Sequence, residues 1–147
     1  MNKYFIYFSE TGNGDIVAEK LASYDYKIVK VEMKRPLAKK FFFKVMQGGF
    51  LASIHAKSKI KELDVNISLE DEVVIGSPIW NGRISSPINT VLNDYEFINP
   101  TFIFYSGGGD AKGALKYLSK HYKASKAIVL KEPKKNEEEL EKLKEIL

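Results

Sequence analysis

The sequence predicts an α/β fold in which helices cover both faces of a parallel, doubly wound sheet. Two observations predict this class. Five short runs with strand character alternate along the 147 residues with stretches of helical periodicity. Three of the runs are almost continuously apolar, as parallel strands covered on both faces are. No repeat or linker divides the sequence, so we expect a single domain over residues 1–147.

The predicted strands come first in each strand–helix unit. They cover residues 3–8, 27–32, 72–77, 101–106 and 126–131. Helical patterns cover residues 15–22, 87–92 and 110–121, and a last helix begins at Asn136. Three glutamates in the first turn of this last helix suit the helix dipole, and Leu140, Leu143 and Leu147 form its predicted inner stripe.

One stretch, Lys34–Lys61, departs from this pattern because it contains eight Lys/Arg and no Asp/Glu. We expect a helix over about 37–47, interrupted at Gly48-Gly49. The lysines are either a docking surface for an acidic partner or a solvated helix face over a Phe-rich core. The phenylalanines recur at helical spacing, which favours core packing over nucleic-acid binding.

Composition limits the remaining function classes. The sequence has no cysteine, which excludes a disulfide framework, a zinc-thiolate site and a thiol nucleophile. No signal peptide is evident, and no apolar run approaches the roughly 18 residues of a membrane span. We therefore expect a cytoplasmic protein without a membrane segment. The net charge of +4 can favour anionic partners, although it is modest.

The loop after the first strand, SETGNG at 9–14, has the composition of a phosphate-binding loop. It precedes a helix, whose N-terminal N–H groups attract anions, and it contains Ser9 and Thr11 as hydroxyl donors. It has no lysine, unlike a P-loop, and Val17 replaces the third glycine of a dinucleotide fingerprint. The loop therefore suits a monophosphate. The alternative is a plain strand-to-helix turn that Thr11 or Asn13 caps.

Two further loops follow strands and should meet the first at the carboxyl edge of the sheet. The loop SPIWNGR at 77–83 contains the single tryptophan, Trp80, which could stack on a flat ligand or pack against the surface. The loop SGGGDAKG at 106–113 has three consecutive glycines, which let a planar ligand approach the backbone. A flexible surface turn is the alternative for this third loop.

These three motifs, in this order and spacing, resemble those of the flavodoxin family. SETGNG is similar to the family's flavin-phosphate loop. GSPIWNG is similar to the loop whose tryptophan covers one flavin face, and SGGGD is similar to the loop along the other flavin edge. The resemblance implies a five-stranded parallel sheet of order 2-1-3-4-5, non-covalent FMN and electron transfer. The cofactor-binding residues that it implies are Ser9, Glu10, Thr11, Gly12, Asn13, Gly14, Ser77, Pro78, Ile79, Trp80, Asn81, Gly82, Ser106, Gly107, Gly108, Gly109 and Asp110.

The resemblance also implies individual roles. Ser9, Thr11, Gly12 and Asn13 would bind the phosphate. Gly14 stands where the family usually has threonine. Trp80 would lie over the isoalloxazine, and the Asn81–Gly82 peptide would reorient near flavin N5 on reduction. Gly107, Gly109 and Asp110 would border the pyrimidine end. The chain departs from the family in having Ala111-Lys112-Gly113 where many members have an aromatic residue, and in being basic.

The leading hypothesis is an FMN-binding electron carrier that works with redox partner proteins, acidic ones docking near Lys34–Lys61. The alternative is an FMN-dependent NAD(P)H:acceptor oxidoreductase that reduces quinone-type molecules. An open flavin face and a nearby Arg83 or Lys112 would suit this alternative. A third hypothesis is a binding module that has lost flavin, which the three intact loops oppose. Neither histidine lies in a catalytic or metal-binding motif.

Overall fold

The computed structural model describes residues 1–34, 59–108 and 110–147. Their elements, in chain order, are β1 (Lys3–Tyr7), α1 (Asn13–Ala22), β2 (Lys27–Lys30), β3 (Glu72–Trp80), β4 (Arg83–Ile84), α2 (Ser86–Asp94), β5 (Thr101–Ser106), α3 (Lys112–His121), β6 (Ala127–Lys131) and a 3₁₀ helix (Glu137–Glu145).

Five of the strands form a parallel sheet in the order β2-β1-β3-β5-β6, and the two-residue β4 pairs antiparallel with the end of β3. Counted along the chain without β4, this order is 2-1-3-4-5, so the predicted fold is confirmed. In register, Phe5 lies between Ile28 of β2 and Val74 of β3. The strand order therefore reverses at β1, and the loops after β1 and β3 border the crevice where such sheets bind ligands.

Alternating side chains of the central strands build a core on each face of the sheet. Ile6, Ile75 and Phe104 contribute to one core, which α2 and α3 cover with residues such as Ile88 and Leu118. The other core is covered by α1 and the 3₁₀ helix, and its members include Phe5, Val17, Leu21, Val74, Ile103 and Leu143. Helices thus cover both faces, which explains why β1, β3 and β5 are almost continuously apolar.

The basic stretch enters and leaves the described part of the chain at neighbouring points. Lys34 N–H donates to Lys59 O at 2.9 Å, and Met33 pairs with Ile60 in an antiparallel bridge. The predicted helix over 37–47 and its interruption at Gly48-Gly49 lie outside the described residues. Within the described ranges, none of the helices has the length and apolar character needed to span a membrane.

Several predicted boundaries were wrong. β3 continues to Trp80, so residues 77–80 belong to a strand rather than a loop. α1 begins at Asn13 after a left-handed Gly12 with φ of 96°, and neither Thr11 nor Asn13 supplies a side-chain cap. The last helix is a 3₁₀ helix with three residues per turn, so residues three apart share a face. Its inner stripe is therefore Leu140, Leu143 and Ile146. Leu147, which was predicted to belong to this stripe, is 45% exposed.

Gly76, in the middle of β3, offers a stability test. An added Cβ would lie 2.6 Å from Phe5 Cζ and 2.9 Å from Tyr7 Cβ, beneath two stacked rings that leave little room to move. We expect Gly76→Ala to lower the free energy of unfolding by about 1–3 kcal/mol, the usual effect of overpacking. Denaturant titration followed by circular dichroism measures it.

Gly107→Ala is the matched control for this substitution. The nearest atom to a Cβ there is Glu132 Oε1 at 3.9 Å, an ordinary contact. We expect a change within about 0.5 kcal/mol. Equal destabilisation by both substitutions would contradict the packing derived for Gly76.

Candidate functional site

The three predicted loops meet at the carboxyl edge of the sheet. The Tyr105 hydroxyl at the end of β5 donates to the Phe8 carbonyl beneath the first loop. An added Cβ on Gly82, in the second loop, would lie 3.6 Å from both Asp110 O and Asp110 Oδ1, in the third. The structure therefore brings together these loops from β1, β3 and β5, as the parallel topology predicts.

Ser9 organises the first loop. Its Oγ accepts hydrogen bonds from Gly12 N–H at 3.2 Å and Gly14 N–H at 3.0 Å, and the side chain is buried. A hydroxyl has two acceptor positions and one hydrogen. Because both acceptor positions are in use, Ser9 can interact with a ligand only as a donor. This suits an anion.

The N-terminus of α1 supplies further donors. The first intrahelical bond runs from Ile16 N–H to Gly12 O at 3.2 Å, so the N–H groups of Asn13 and Asp15 precede the helical ladder. Neither finds an acceptor among the described residues. Together with the partial positive charge of the helix end, these donors make a turn that is suited to an anion, here called the anion-binding turn. Thr11 and Glu10 are exposed at the crest of this loop, and Asn13 Nδ2 donates to Thr11 Oγ1 at 3.4 Å.

Asp15 places a carboxylate in the same first turn, but its charge is compensated. Its Oδ1 accepts from Tyr7 Oη at 2.7 Å and from Lys30 Nζ at 2.9 Å. Burial raises the pKa of Asp15, and the hydrogen bonds from Tyr7 and Lys30 lower it more, so that the pKa lies below its usual value. The carboxylate is therefore ionised and paired with Lys30 near neutral pH, which limits its repulsion of a bound anion.

Gly14 has a packing reason to lack a side chain. A Cβ at this position would lie 2.5 Å from Tyr105 Oη and 2.8 Å from Ser9 Cβ. Tyr105 is fully buried, and burial raises the pKa of its hydroxyl well above the usual value, which keeps it a donor to Phe8 O. The threonine that the flavodoxin pattern has here would overlap that hydroxyl, which explains the departure.

The second loop is a tight hairpin. Only Asn81 and Gly82 connect β3 to β4, and their φ values of 52° and 75° are those of a type I′ turn. The Gly82 carbonyl accepts from Ala114 N–H of α3 at 2.8 Å. Gly113 permits this approach, because a Cβ there would lie 2.9 Å from Gly82 O. The hydrogen bond to α3 therefore fixes the Gly82 carbonyl, and Asn81 is exposed at the tip of the turn.

The predicted loop position of residues 77–80 was wrong, and the strand buries most of them. Ser77 is fully buried, and its Oγ lies 2.8 Å from Ser85 Oγ. Ile79 is buried, and Pro78 lies in register with Tyr105. The Trp80 ring has 0% exposure and packs edge-on against Phe8, with centroids 6.0 Å apart. The ring is a core side chain in this structure, and its contact with a cofactor stays a prediction.

The third loop presents backbone rather than side chains. Gly107 and Gly108 are exposed, and Gly108 has φ of 112°, a left-handed conformation that favours glycine. Gly108 N–H donates to Ser106 Oγ at 3.3 Å, and Lys112 N–H donates to Asp110 Oδ1 at 3.2 Å. Asp110 therefore orders the start of α3. The predicted site residue Gly109 lies outside the described residues.

Sequence reasoning missed a fourth loop, which follows β6. Lys134 N–H donates to Asn13 Oδ1 at 3.0 Å, and its Nζ donates to Thr11 O at 3.3 Å. Lys134 therefore lies against the first loop, whose own residues include no lysine. The topological rule that predicted the other three loops also applies to this one, because β6 ends at the same edge.

A basic cleft adjoins the hairpin. It has a volume of about 270 Å³ and lies between β4 and α3. Its lining residues are Arg83, Gly113, Lys116, Tyr117, Lys120 and His121. The Tyr117 and His121 rings are 4.4 Å apart. No cluster of three potential metal ligands occurs in the described ranges.

Comparisons with known proteins show similarity to solved flavoproteins. No family model matches the chain, and no curated protein matches it. A flavoprotein from Lactobacillus acidophilus, solved in complex with FMN, is 23% identical, with a TM-score of 0.67 over 93% of this chain and 97% of that one.

Two candidate flavoproteins are also similar. The one from Bacteroides eggerthii is 24% identical, with a TM-score of 0.69 over 87% of this chain and 85% of that one. The one from Bacteroides uniformis is 21% identical, with a TM-score of 0.65 over 88% and 90%. At these identities the similarity shows a shared fold, the flavodoxin-like doubly wound α/β sheet.

Proposed function

We propose that this protein binds FMN non-covalently at the loops after β1, β3 and β5 and serves as an electron carrier. The observation that carries the proposal is the anion-binding turn at the start of α1. There Ser9 is restricted to donating, and N–H groups of the first turn lack acceptors among the described residues. The similarity to a flavoprotein solved with FMN supports the identity of the anion as a flavin phosphate.

The residues at the edge fit such a group. The hydroxyls of Ser9 and Thr11 and the backbone N–H groups of Asn13 and Asp15 would hold the phosphate. Gly12 and Gly14, whose N–H groups donate to Ser9 Oγ, would set the shape of the turn. The Asn81–Gly82 turn and the exposed backbone of Gly107 and Gly108 would border the ring, because glycines let a flat ligand approach the backbone. When bound, FMN supplies the redox chemistry, and the protein contributes binding, orientation and electrostatics.

The hairpin would contribute one movable peptide. Rotating the Asn81–Gly82 peptide would turn the Asn81 carbonyl toward a protonated ring nitrogen, while Gly82 O stays bonded to Ala114 N–H. That rotation converts a type I′ turn toward type II′, which favours glycine at the first central position. The strain of the rotation therefore falls on Asn81, which occupies that first central position.

A second candidate function is the FMN-dependent NAD(P)H:acceptor oxidoreductase. The basic cleft beside the hairpin favours it, since Arg83, Lys116 and Lys120 would attract the phosphates of a dinucleotide. Rapid anaerobic oxidation of NAD(P)H by the FMN-loaded protein would support this function over the carrier. Docking of an acidic redox partner near Lys34–Lys61 is a further proposal, and residues 35–58 of that stretch lie outside the described ranges.

The cofactor proposal predicts a preference for FMN. Flavin fluorescence titrations of the apoprotein should give tighter binding of FMN than of FAD, because the edge offers one anion-binding turn and no second pyrophosphate site among the described loops. Riboflavin, which lacks the phosphate, should bind at least about tenfold more weakly than FMN. Comparable affinity for FMN and FAD would argue against this assignment, and absence of binding to any flavin would refute it.

The electron-carrier proposal predicts an effect of Asn81→Gly. The glycine removes about 1–3 kcal/mol of strain from the rotated turn, so the two one-electron potentials of the FMN-loaded protein should move apart. Each tenfold change in the equilibrium constant of the peptide rotation shifts a one-electron potential by about 60 mV. Anaerobic potentiometric titration measures it.

Asn93→Gly, an exposed substitution in α2 away from this edge, is the control and should leave both potentials unchanged. A single two-electron step in the unaltered protein would favour the oxidoreductase instead.

A further inference from the structure

Lys134 is brought to the anion-binding turn from the far end of the chain. Its Nζ donates to Thr11 O at 3.3 Å, across 123 positions of sequence. A Cβ on Gly12 would lie 2.9 Å from the same Nζ. The ammonium group therefore rests on the loop itself, at a place that the glycine keeps open.

The backbone around Lys134 fixes this position. Lys135 N–H and Asn136 N–H both donate to Glu132 O at 2.9 Å, which closes a turn around the buried Pro133. Lys134 N–H donates in turn to Asn13 Oδ1 at 3.0 Å. The loop after β6 is thus joined to the first loop by backbone as well as by side chain, so Lys134 differs from an ordinary surface lysine.

The charge of Lys134 is compensated only from a distance, by Asp15, whose pKa it helps to lower. Neighbouring lysines pair with carboxylates, as Lys135 does with Glu132 at 3.5 Å and Lys30 with Asp15 at 2.9 Å. No carboxylate of the described residues lies within ion-pair distance of Lys134 Nζ, which donates to the Thr11 carbonyl. It also lies at the N-terminus of α1, where a helix disfavours a cation. An anion bound at this turn would relieve both effects.

We propose that Lys134 is the cationic residue of the phosphate site and pairs with the phosphate dianion of FMN. The inference rests on the proposed function and goes beyond it, since none of residues 9–14 has a cationic side chain. Lys134 would select the phosphorylated flavin over riboflavin and make binding depend on salt. Reaching the anion requires only that its long side chain exchange one carbonyl acceptor for a phosphate oxygen.

Lys134→Gln tests the proposal, because glutamine retains a donor for Thr11 O and loses the charge. The dissociation constant for FMN should rise about tenfold at low salt, and the difference should shrink as ionic strength rises. The affinity for riboflavin should be unchanged. Lys134→Arg, which keeps the charge, should restore much of the affinity for FMN. Flavin fluorescence titrations at several salt concentrations measure all three.

Lys135→Gln is the matched control. It removes the same charge from the adjacent position, where the side chain is 76% exposed and paired with Glu132. It should leave the affinity for FMN within about twofold of the original value. Equal effects of the two glutamine substitutions, or equal losses for FMN and riboflavin, would overturn the proposal.

A second measurement separates this inference from the proposed function. Inorganic phosphate, compared with chloride at matched ionic strength, should raise the melting temperature of the apoprotein and of Lys135→Gln but not of Lys134→Gln. If the protein binds no flavin, the proposed function fails while this comparison still tests Lys134. Equal phosphate stabilisation of all three proteins, or none in any, would overturn the role of Lys134.

Discussion

Burial of the central strands on both faces governs where the helices and loops of this structure lie. β1, β3 and β5 carry large apolar side chains on alternate faces, such as Phe5 on one and Ile6 on the other. Both sets leave water only if helices cover each face, and parallel strands need crossover connections to place the helices there. Each crossover returns the chain to the same end of the sheet, so the loops that leave the strands collect at one edge.

At that edge, local and distant residues have different tasks. The turn of residues 9–14 provides directional donors, because Ser9 and the left-handed Gly12 set its N–H groups at the start of α1. Positive charge comes from Lys134, which the loop after β6 supplies. Backbone donors next to a helix end are geometrically fixed, whereas a lysine is long and adaptable. A phosphate site can therefore take its geometry from one segment and its charge from another.

The hairpin shows how a local signal acts at a distance. Asn81-Gly82 favours a type I′ turn, whose twist matches that of paired strands, so Trp80 pairs with Arg83 and β3 is extended. The extension carries Trp80 into the core against Phe8. Gly113 then allows α3 to bond to the turn, so helix and hairpin together shape the edge.

Local patterns in the sequence predicted the five strands, their helices and three of the loops at the edge, because periodicity and turn residues are local properties. The sequence did not reveal that Trp80 is buried, that a 3₁₀ helix packs through Leu140, Leu143 and Ile146, or that Gly14 makes room for Tyr105. Nor did it place Lys134 on the first loop. Each of these depends on atoms that are distant along the chain and adjacent in space. They are visible in the folded chain alone, because no local pattern records which residues the sheet brings together.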